Sequence, residues 1–368
     1  MKSQVFFADL RTTISKNMTK KINRLMRRTE VGSIIGETDL VAIKLHFGEK
    51  GNTAFVRPIF IRDIVENIYS CGGKPFLTDS NTLYRGERGE AVSHLKIALT
   101  HGFNLTTVSA PVIVADGLRG NDAVKVKIDG KHLTEVSIGS AVIQADVLIG
   151  VAHFKGHELT GFGGALKNIG MGCASKEGKL KQHSNISPQV KAKQCSACGR
   201  CMEWCPADAI GMVNEKSRID AEKCIGCAEC ITICPKGAIE INWNESSEVF
   251  QEKMVEHVHG VIKNKKRKSL FINFLTDISP ACDCYGHADR PIVPDIGILA
   301  SLDPVATDQA SVDLVNAEQG LTDSALKNNH GKGRDKFRGL YPEVDWEIQL
   351  DYGQKLGIGS RDYELIKV

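Results

Sequence analysis

Cys195-Ser-Ala-Cys198-Gly-Arg-Cys201-Met-Glu-Trp-Cys205-Pro206 is followed by a second run of the same form, Cys224-Ile-Gly-Cys227-Ala-Glu-Cys230-Ile-Thr-Ile-Cys234-Pro235. Each cysteine of the second run stands 29 positions after its counterpart (195 to 224, 205 to 234). The agreement continues past the cysteines, where Pro206-x2-Ala209-Ile210 is matched by Pro235-x2-Ala238-Ile239. Repetition at this scale predicts a pseudo-twofold module of two loop–helix–strand halves.

The spacing also predicts a cofactor. A cubane iron–sulfur cluster needs four thiolates converging from different directions. Three cysteines at two-residue spacing can wrap one cluster from a tight loop, and the fourth must come from elsewhere. C-x2-C-x2-C-x3-C-P is the run of two-cluster bacterial ferredoxins, in which the fourth cysteine of each run ligates the other cluster. One [4Fe-4S] cluster would take Cys195, Cys198, Cys201 and Cys234, and the second Cys224, Cys227, Cys230 and Cys205. Zinc is the competing reading of paired C-x2-C steps. It accounts for four ligands per site but not for the third cysteine step, the x3 step or the prolines. A disulfide framework fits poorly with a long chain that shows no secretion signal.

The 368 residues are enough for two or three domains, and 42% of them are hydrophobic, so a sizeable core can form without help from metal. A net charge of +3 gives no nucleic-acid surface. The basic run at residues 263–268 reads as a solvated helix end. No apolar run reaches the ~20 residues of a membrane span. A soluble, cytoplasmic protein is expected.

Outside the cysteine runs the pattern alternates. Strands are expected at residues 4–8, 40–45, 75–78, 111–115 and 146–152, the last a continuous apolar run suited to a buried parallel strand. Helices are expected at residues 58–70 and 89–100, and a hairpin at residues 124–138 around Asp129-Gly130. After the cysteines come a helix at about 252–265, strands at 270–274 and 296–300, and a helix opened by Asp303 and Pro304. A last helix at 345–356 and a strand at 363–368 follow. The expected architecture is a layered α/β domain formed by residues 1–187 and 246–368. An α+β ferredoxin-like domain with two clusters would be inserted at residues 188–245. Three separate domains in series are the alternative, disfavoured because the C-terminal piece has few elements for a core of its own.

Polar residues gather where α/β folds place ligands, after the strands. Residues 40–45 carry Lys44 and lead into His46-Phe-Gly48-Glu49; residues 75–78 lead into Asp79-Ser80-Asn81-Thr82; residues 146–152 lead into His153, Lys155 and His157. Gly161-Phe-Gly163-Gly164-Ala-Leu-Lys167-Asn168 follows. If the strands are parallel neighbours, Lys44, His46, Lys155, His157 and Lys167 share one rim, which suits a carboxylate or phosphate. Ligand-binding candidates are Lys44, Asp79, Asn81, Lys167 and Asn168; catalytic candidates are His46, His157 and Lys155. For any one of these, a solvated surface role is the plainer alternative. The glycine segment is neither a P-loop nor a dinucleotide fingerprint, since position 166 is leucine. Cys71 reads as core and Cys173 lies beside the glycine segment. Cys282-Asp-Cys284 reads as a thiol pair, as half of a metal site with His287 and Asp289, or as a plain loop.

These stretches resemble a known group. Residues 41–49, 78–82, 153–173, Cys282-Asp283-Cys284 and Pro294-Asp295 through Asp303-Pro304-Val-Ala-Thr-Asp308 are similar to the iron–sulfur centre proteins of domain of unknown function 362 with an embedded two-cluster ferredoxin module. The resemblance implies an α/β domain and two cubane clusters, and no substrate.

The leading expectation is an oxidoreductase. Two [4Fe-4S] clusters would relay single electrons to or from an anionic ligand on the α/β domain, with a histidine moving the proton. A non-enzymatic carrier or redox adaptor docking a partner protein is one alternative. A metal- or cofactor-handling protein using Cys282 and Cys284 is another.

Overall fold

The computed structural model describes residues 2–84 and 86–368. Its centre is one eight-stranded sheet. The strands are β1 (Ser3–Asp9), β2 (Leu40–Lys44), β3 (Lys74–Asp79), β4 (Val112–Val114), β5 (Val147–His153), β6 (Ser269–Leu275), β7 (Gly297–Ser301) and β8 (Tyr363–Lys367). They lie in the order β8-β1-β7-β6-β5-β2-β3-β4. Only β7 runs against the others in this sheet.

The alternation of side chains across a strand explains the apolar runs. Ala42 and Leu148 enter the core on one face, and Val41, Ile43, Val147 and Ile149 enter the core on the other. Both faces are covered. The helix Pro58–Ser70 buries Ile61, Ile64, Val65 and Ile68 against one face. The helix Ser247–Lys265 buries Met254, Val255, Val258 and Val261 against the opposite face. It starts five residues before the expected position 252, because the Ser246 hydroxyl caps it by accepting the Val249 N–H at 3.2 Å.

Among the helices that have no counterpart in the expectations, the longest is Met18–Arg28. Its apolar stripe is only Ile22, Leu25 and Met26, diluted by Lys20, Lys21, Arg24, Arg27 and Arg28.

The chain order creates the site. From β2 the chain moves outward to β3 and β4, then returns to place β5 on the other side of β2. The β2–β5 boundary is therefore a topological switch point, where open α/β sheets form a crevice at the strand C-termini. Lys44 ends β2, Asp79 ends β3 and His153 ends β5.

Between β5 and β6, residues 189–240 add two short antiparallel ladders, Gln189–Val190 with Ile239–Glu240 and Ile210–Val213 with Lys216–Ile219. They have a separate small core of Cys201, Ile210, Ala228, Cys230, Ile231 and Ile239, into which Leu83 and Leu180 insert from outside the segment. The two flanks of this segment share the sheet, since β5 and β6 pair in parallel. Among the described residues, no helix is long and apolar enough to cross a membrane.

Candidate functional site

A cleft of about 760 Å³ opens at the β2–β5 switch point. Lys44, His46, Asp79, Lys155, His157, Lys167 and Asn168 all line it. Asn81 does not. Its backbone N–H and side-chain amide both donate to Asp116 at 2.9 Å, tying down the loop behind β3.

Lys44 and Lys155 are already partnered. Lys44 Nζ lies 3.1 Å from Asp79 Oδ1 and donates to Asn168 Oδ1 at 2.8 Å. Burial works against the charge on Asp79, but Lys44 and Arg88 together hold its carboxyl below the usual range. Arg88, 3.5 Å from Asp79, also reaches Glu49 at 3.2 Å and the Tyr84 hydroxyl at 2.6 Å. Glycine is required beside this pair: a Cβ on Gly172 would lie 2.2 Å from Lys44 Nζ. Lys155 lies 3.3 Å from Asp283 Oδ2, and His153 Nδ1 donates to Asp283 Oδ1 at 2.8 Å. Lys179 donates to Ser80 Oγ, Asn81 O and Ala174 O, and burial pushes it down to about 8.

Lys167 is different. Its Nζ faces Cys282 Sγ at 3.6 Å. Burial opposes its charge, and the Cys282 thiolate more than offsets that, holding the ammonium above its usual range. Cys282 also accepts the Cys284 N–H at 3.4 Å. The Cys284 thiol, then Lys167 and His157, hold Cys282 well below the usual thiol range against its burial. Cys284 moves the other way, pushed well above that range by its bond to the Cys282 sulfur and by burial.

Burial disfavours the charged form of both candidate histidines. His46 Nδ1 accepts the Gly48 N–H at 2.9 Å, and burial and then Arg88 lower its affinity for a second proton far below the usual imidazole range. His157 Nδ1 accepts the Leu159 N–H at 3.2 Å, so its proton sits on Nε2, which serves Cys282. Burial, followed by Lys167, keeps it from charging.

Asp308 sets the position of Lys167. Its carboxylate accepts the Ala165 and Leu166 N–H groups at 2.6 and 2.9 Å and the Asn273 amide at 2.7 Å, anchoring the short helix Ala165–Gly170. Burial raises its pKa to about 6. A Cβ on Gly164 would lie 2.2 Å from Asp308 Oδ1, so only glycine admits this contact.

The cysteine runs form two further hollows. One is lined by Cys195, Cys198, Cys201 and Cys234, the other by Cys205, Cys224, Cys227 and Cys230. The halves match in detail. The Ala209 N–H donates to Cys205 Sγ and the Ala238 N–H to Cys234 Sγ, both at 3.2 Å. Positive-φ residues precede each short helix, Ala197 and Gly199 in one half and Gly226 and Ala228 in the other. Among the described residues, no group of three or more His, Cys, Asp or Glu converges on a single-ion site, at Cys282 and Cys284 or elsewhere.

The second hollow lies towards the cleft. Leu180 packs over Gly226, and Leu83 belongs both to the segment's core and to the cleft wall. Lys176 bridges the two parts, donating to Gly89 O at 2.6 Å and to Thr232 Oγ1 at 2.7 Å. The Arg119 guanidinium stacks over Trp204 at 4.5 Å.

Arg88, Lys179 and Asp283 shape the site without having been expected there. Arg88 and Lys179 sit in stretches without periodicity. Asp283 carried one signal, its place between two cysteines.

The family model described as "Domain of unknown function (DUF362)" matches residues 41–313. Among curated proteins there is no match. Two solved structures are distantly similar. The lactate racemase apoprotein from Thermoanaerobacterium thermosaccharolyticum aligns at 11% identity with a TM-score of 0.43, over 86% of this chain and 58% of that one. A protein from Thermotoga maritima aligns at 11% identity with a TM-score of 0.36, over 70% of this chain and 50% of that one. The chain thus spans about half the length of either.

Proposed function

Since the chain belongs to the DUF362 family, whose description assigns no chemistry, we propose its function from the site itself: an iron–sulfur oxidoreductase that passes single electrons between two [4Fe-4S] clusters and a ligand in the cleft. The observation that carries this is the crossed lining of the two hollows, three cysteines of one run with the fourth of the other, with one hollow beside the cleft wall. Cys195, Cys198, Cys201 and Cys234 would hold one cluster, and Cys224, Cys227, Cys230 and Cys205 the other. A cubane takes one thiolate per iron, so its ligands need not converge as those of a single ion do. Bound there, the clusters would supply one-electron transfer at potentials set by burial and hydrogen bonding.

The chain's own residues do the rest. Backbone N–H groups of Ala209 and Ala238 stabilise thiolate charge at Cys205 and Cys234. Leu83 and Leu180 pack into the small core around the cysteines, and Leu83 also lines the cleft. With Lys44 and Lys155 held by carboxylates, Lys167 is the cation that would take an anionic group on the ligand. His157, which lines the same cleft and carries its proton on Nε2, would supply the proton.

Protein purified without oxygen is expected to carry about eight irons per chain. Reduction should bleach the visible absorbance of the clusters, an anionic acceptor that binds the cleft should restore it, and the recovery should be lost in Lys167→Met while the iron content stays. A chain that takes up no iron, or a recovery indifferent to Lys167, would overturn the reading.

A further inference from the structure

The cleft contains a thiol pair to which the electron relay assigns no step. We propose that Cys282 and Cys284 are a redox-active dithiol–disulfide couple, with Cys282 the attacking sulfur, Cys284 the resolving one, and a small anionic disulfide the substrate; the resetting half of its cycle rests on the electron relay proposed above.

The geometry comes first. Residues 282–285 form a tight turn, closed by the Tyr285 N–H donating to the Cys282 carbonyl at 3.1 Å. Cys282 and Cys284 both line the cleft, while Asp283 points the other way into its contacts with His153 and Lys155. The backbone between them is pinned as well, since the Glu49 N–H donates to Asp283 O at 3.0 Å and the Tyr84 hydroxyl donates to Cys284 O at 3.2 Å. The pair is thus held facing the cleft by buried charge.

The two sulfurs differ in the way thiol–disulfide exchange needs. The attacking group must be a thiolate, and the resolving one must keep its proton until a mixed disulfide has formed. Lys167 at 3.6 Å, the Cys284 N–H at 3.4 Å and His157 surround the Cys282 sulfur with positive charge and donors. The neighbouring Cys282 sulfur and burial push the Cys284 thiol well above the usual range. Cys173, by contrast, is fully buried and pushed up to about 11. A cleft of about 760 Å³ admits a small molecule, and Lys167 favours an anionic one.

The cycle balances. The Cys282 thiolate attacks one sulfur of R–S–S–R, breaking that bond, and RS⁻ leaves. RS⁻ takes the Cys284 proton and departs as RSH. The Cys284 thiolate attacks Cys282 in the mixed disulfide, forming the Cys282–Cys284 bond and releasing a second RS⁻, which takes a proton from water. Two electrons, entering singly from a reduced one-electron carrier protein, and one proton reopen the bond to a Cys282 thiolate and a Cys284 thiol. The sum is R–S–S–R + 2e⁻ + 2H⁺ → 2 RSH.

Oxidised glutathione, an anionic disulfide, serves as the probe on the full-length protein. Wild type should become lighter by two hydrogens, and Cys284→Ser should gain one glutathionyl group on Cys282. Reductive titration of the oxidised wild type should consume about two electrons more per chain than the doubly substituted C282S/C284S protein. On unmodified wild type, iodoacetamide just below neutral pH should label Cys282 before Cys284 and Cys173, a measurement that needs no variant. No adduct on Cys284→Ser, equal electron uptake, or preferential labelling of another of these three cysteines would overturn the proposal. Iron-free protein that still forms the adduct and the internal disulfide would support the couple and sink the relay. Iron-loaded protein with equal uptake in both forms would leave the relay and sink the couple.

Discussion

Lys44 and Asp79, at the ends of neighbouring parallel strands, meet 3.1 Å apart in the floor of the cleft, with 1% and 3% of their side chains exposed. A buried pair of this kind is costly to break from one side, because the remaining charge loses its partner in a low-dielectric setting. Lys44→Met is therefore expected to destabilise the fold by about 3–5 kcal/mol, and Lys44→Met/Asp79→Leu by much less than the sum of the single changes. Urea unfolding checks this. A loss below about 1 kcal/mol for Lys44→Met would free Lys44 for a ligand role.

The crossed cysteine sets make a prediction that an uncrossed arrangement does not. Cys205→Ser should remove the cluster held by Cys224, Cys227 and Cys230, although Cys205 belongs to the first run. Cys234→Ser should remove the one held by Cys195, Cys198 and Cys201. Each variant should retain about four irons, and spectra of the two residual clusters should differ. If Cys205→Ser instead disturbs only the cluster at Cys195, Cys198 and Cys201, the crossed assignment fails.

Lys167 should set the pH range over which Cys282 reacts. Its ammonium, after the Cys284 thiol, favours the thiolate, so wild-type alkylation should persist to pH values well below the usual thiol range. Lys167→Met should move the midpoint upward and Lys167→Arg should largely restore it. Stopped-flow alkylation against pH measures both. An unmoved midpoint in Lys167→Met would remove Lys167 from this role.

Acid should destabilise the protein in part through His257. Burial lowers its pKa to about 4, and its Nδ1–H donates to the Lys253 carbonyl at 2.9 Å. The unfolded chain binds this proton from about pH 6.5 downward and the folded chain only below about 4. Stability from this group is therefore complete above about 6.5 and lost as pH falls through about 4, at up to about 1.4 kcal/mol per pH unit. Asp116 and Asp308, both raised to about 6 by burial, act in the opposite sense over part of that window. The difference between wild type and His257→Leu isolates the histidine. Parallel stability curves for the two proteins would contradict the assignment.

Much of the fold was legible because its signals are local. The apolar run through Val147–His153 needs both faces covered, and that alone implies a central parallel strand. The cap formed by Asp303 and Pro304 marked the start of a helix, found at Pro304–Ala317. The antiparallel direction of β7 was not legible, because direction leaves no trace in an apolar run. The helix Met18–Arg28 was hidden by its basic residues.

The candidate site divides along the same line. The amino-acid sequence by itself determined the pairing of the two cysteine runs and the polar residues that end β2, β3 and β5, because spacing and strand ends are properties of a short stretch. Tertiary structure alone decided which charges are spent. Lys44 and Lys155 read like Lys167 in one dimension, yet two of them face carboxylates and the third a sulfur. Those partners come from residues 35, 128 and 115 positions away (Lys44 to Asp79, Lys155 to Asp283, Lys167 to Cys282), and the parallel pairing of β2 with β3 and of β5 with β6 brings them together.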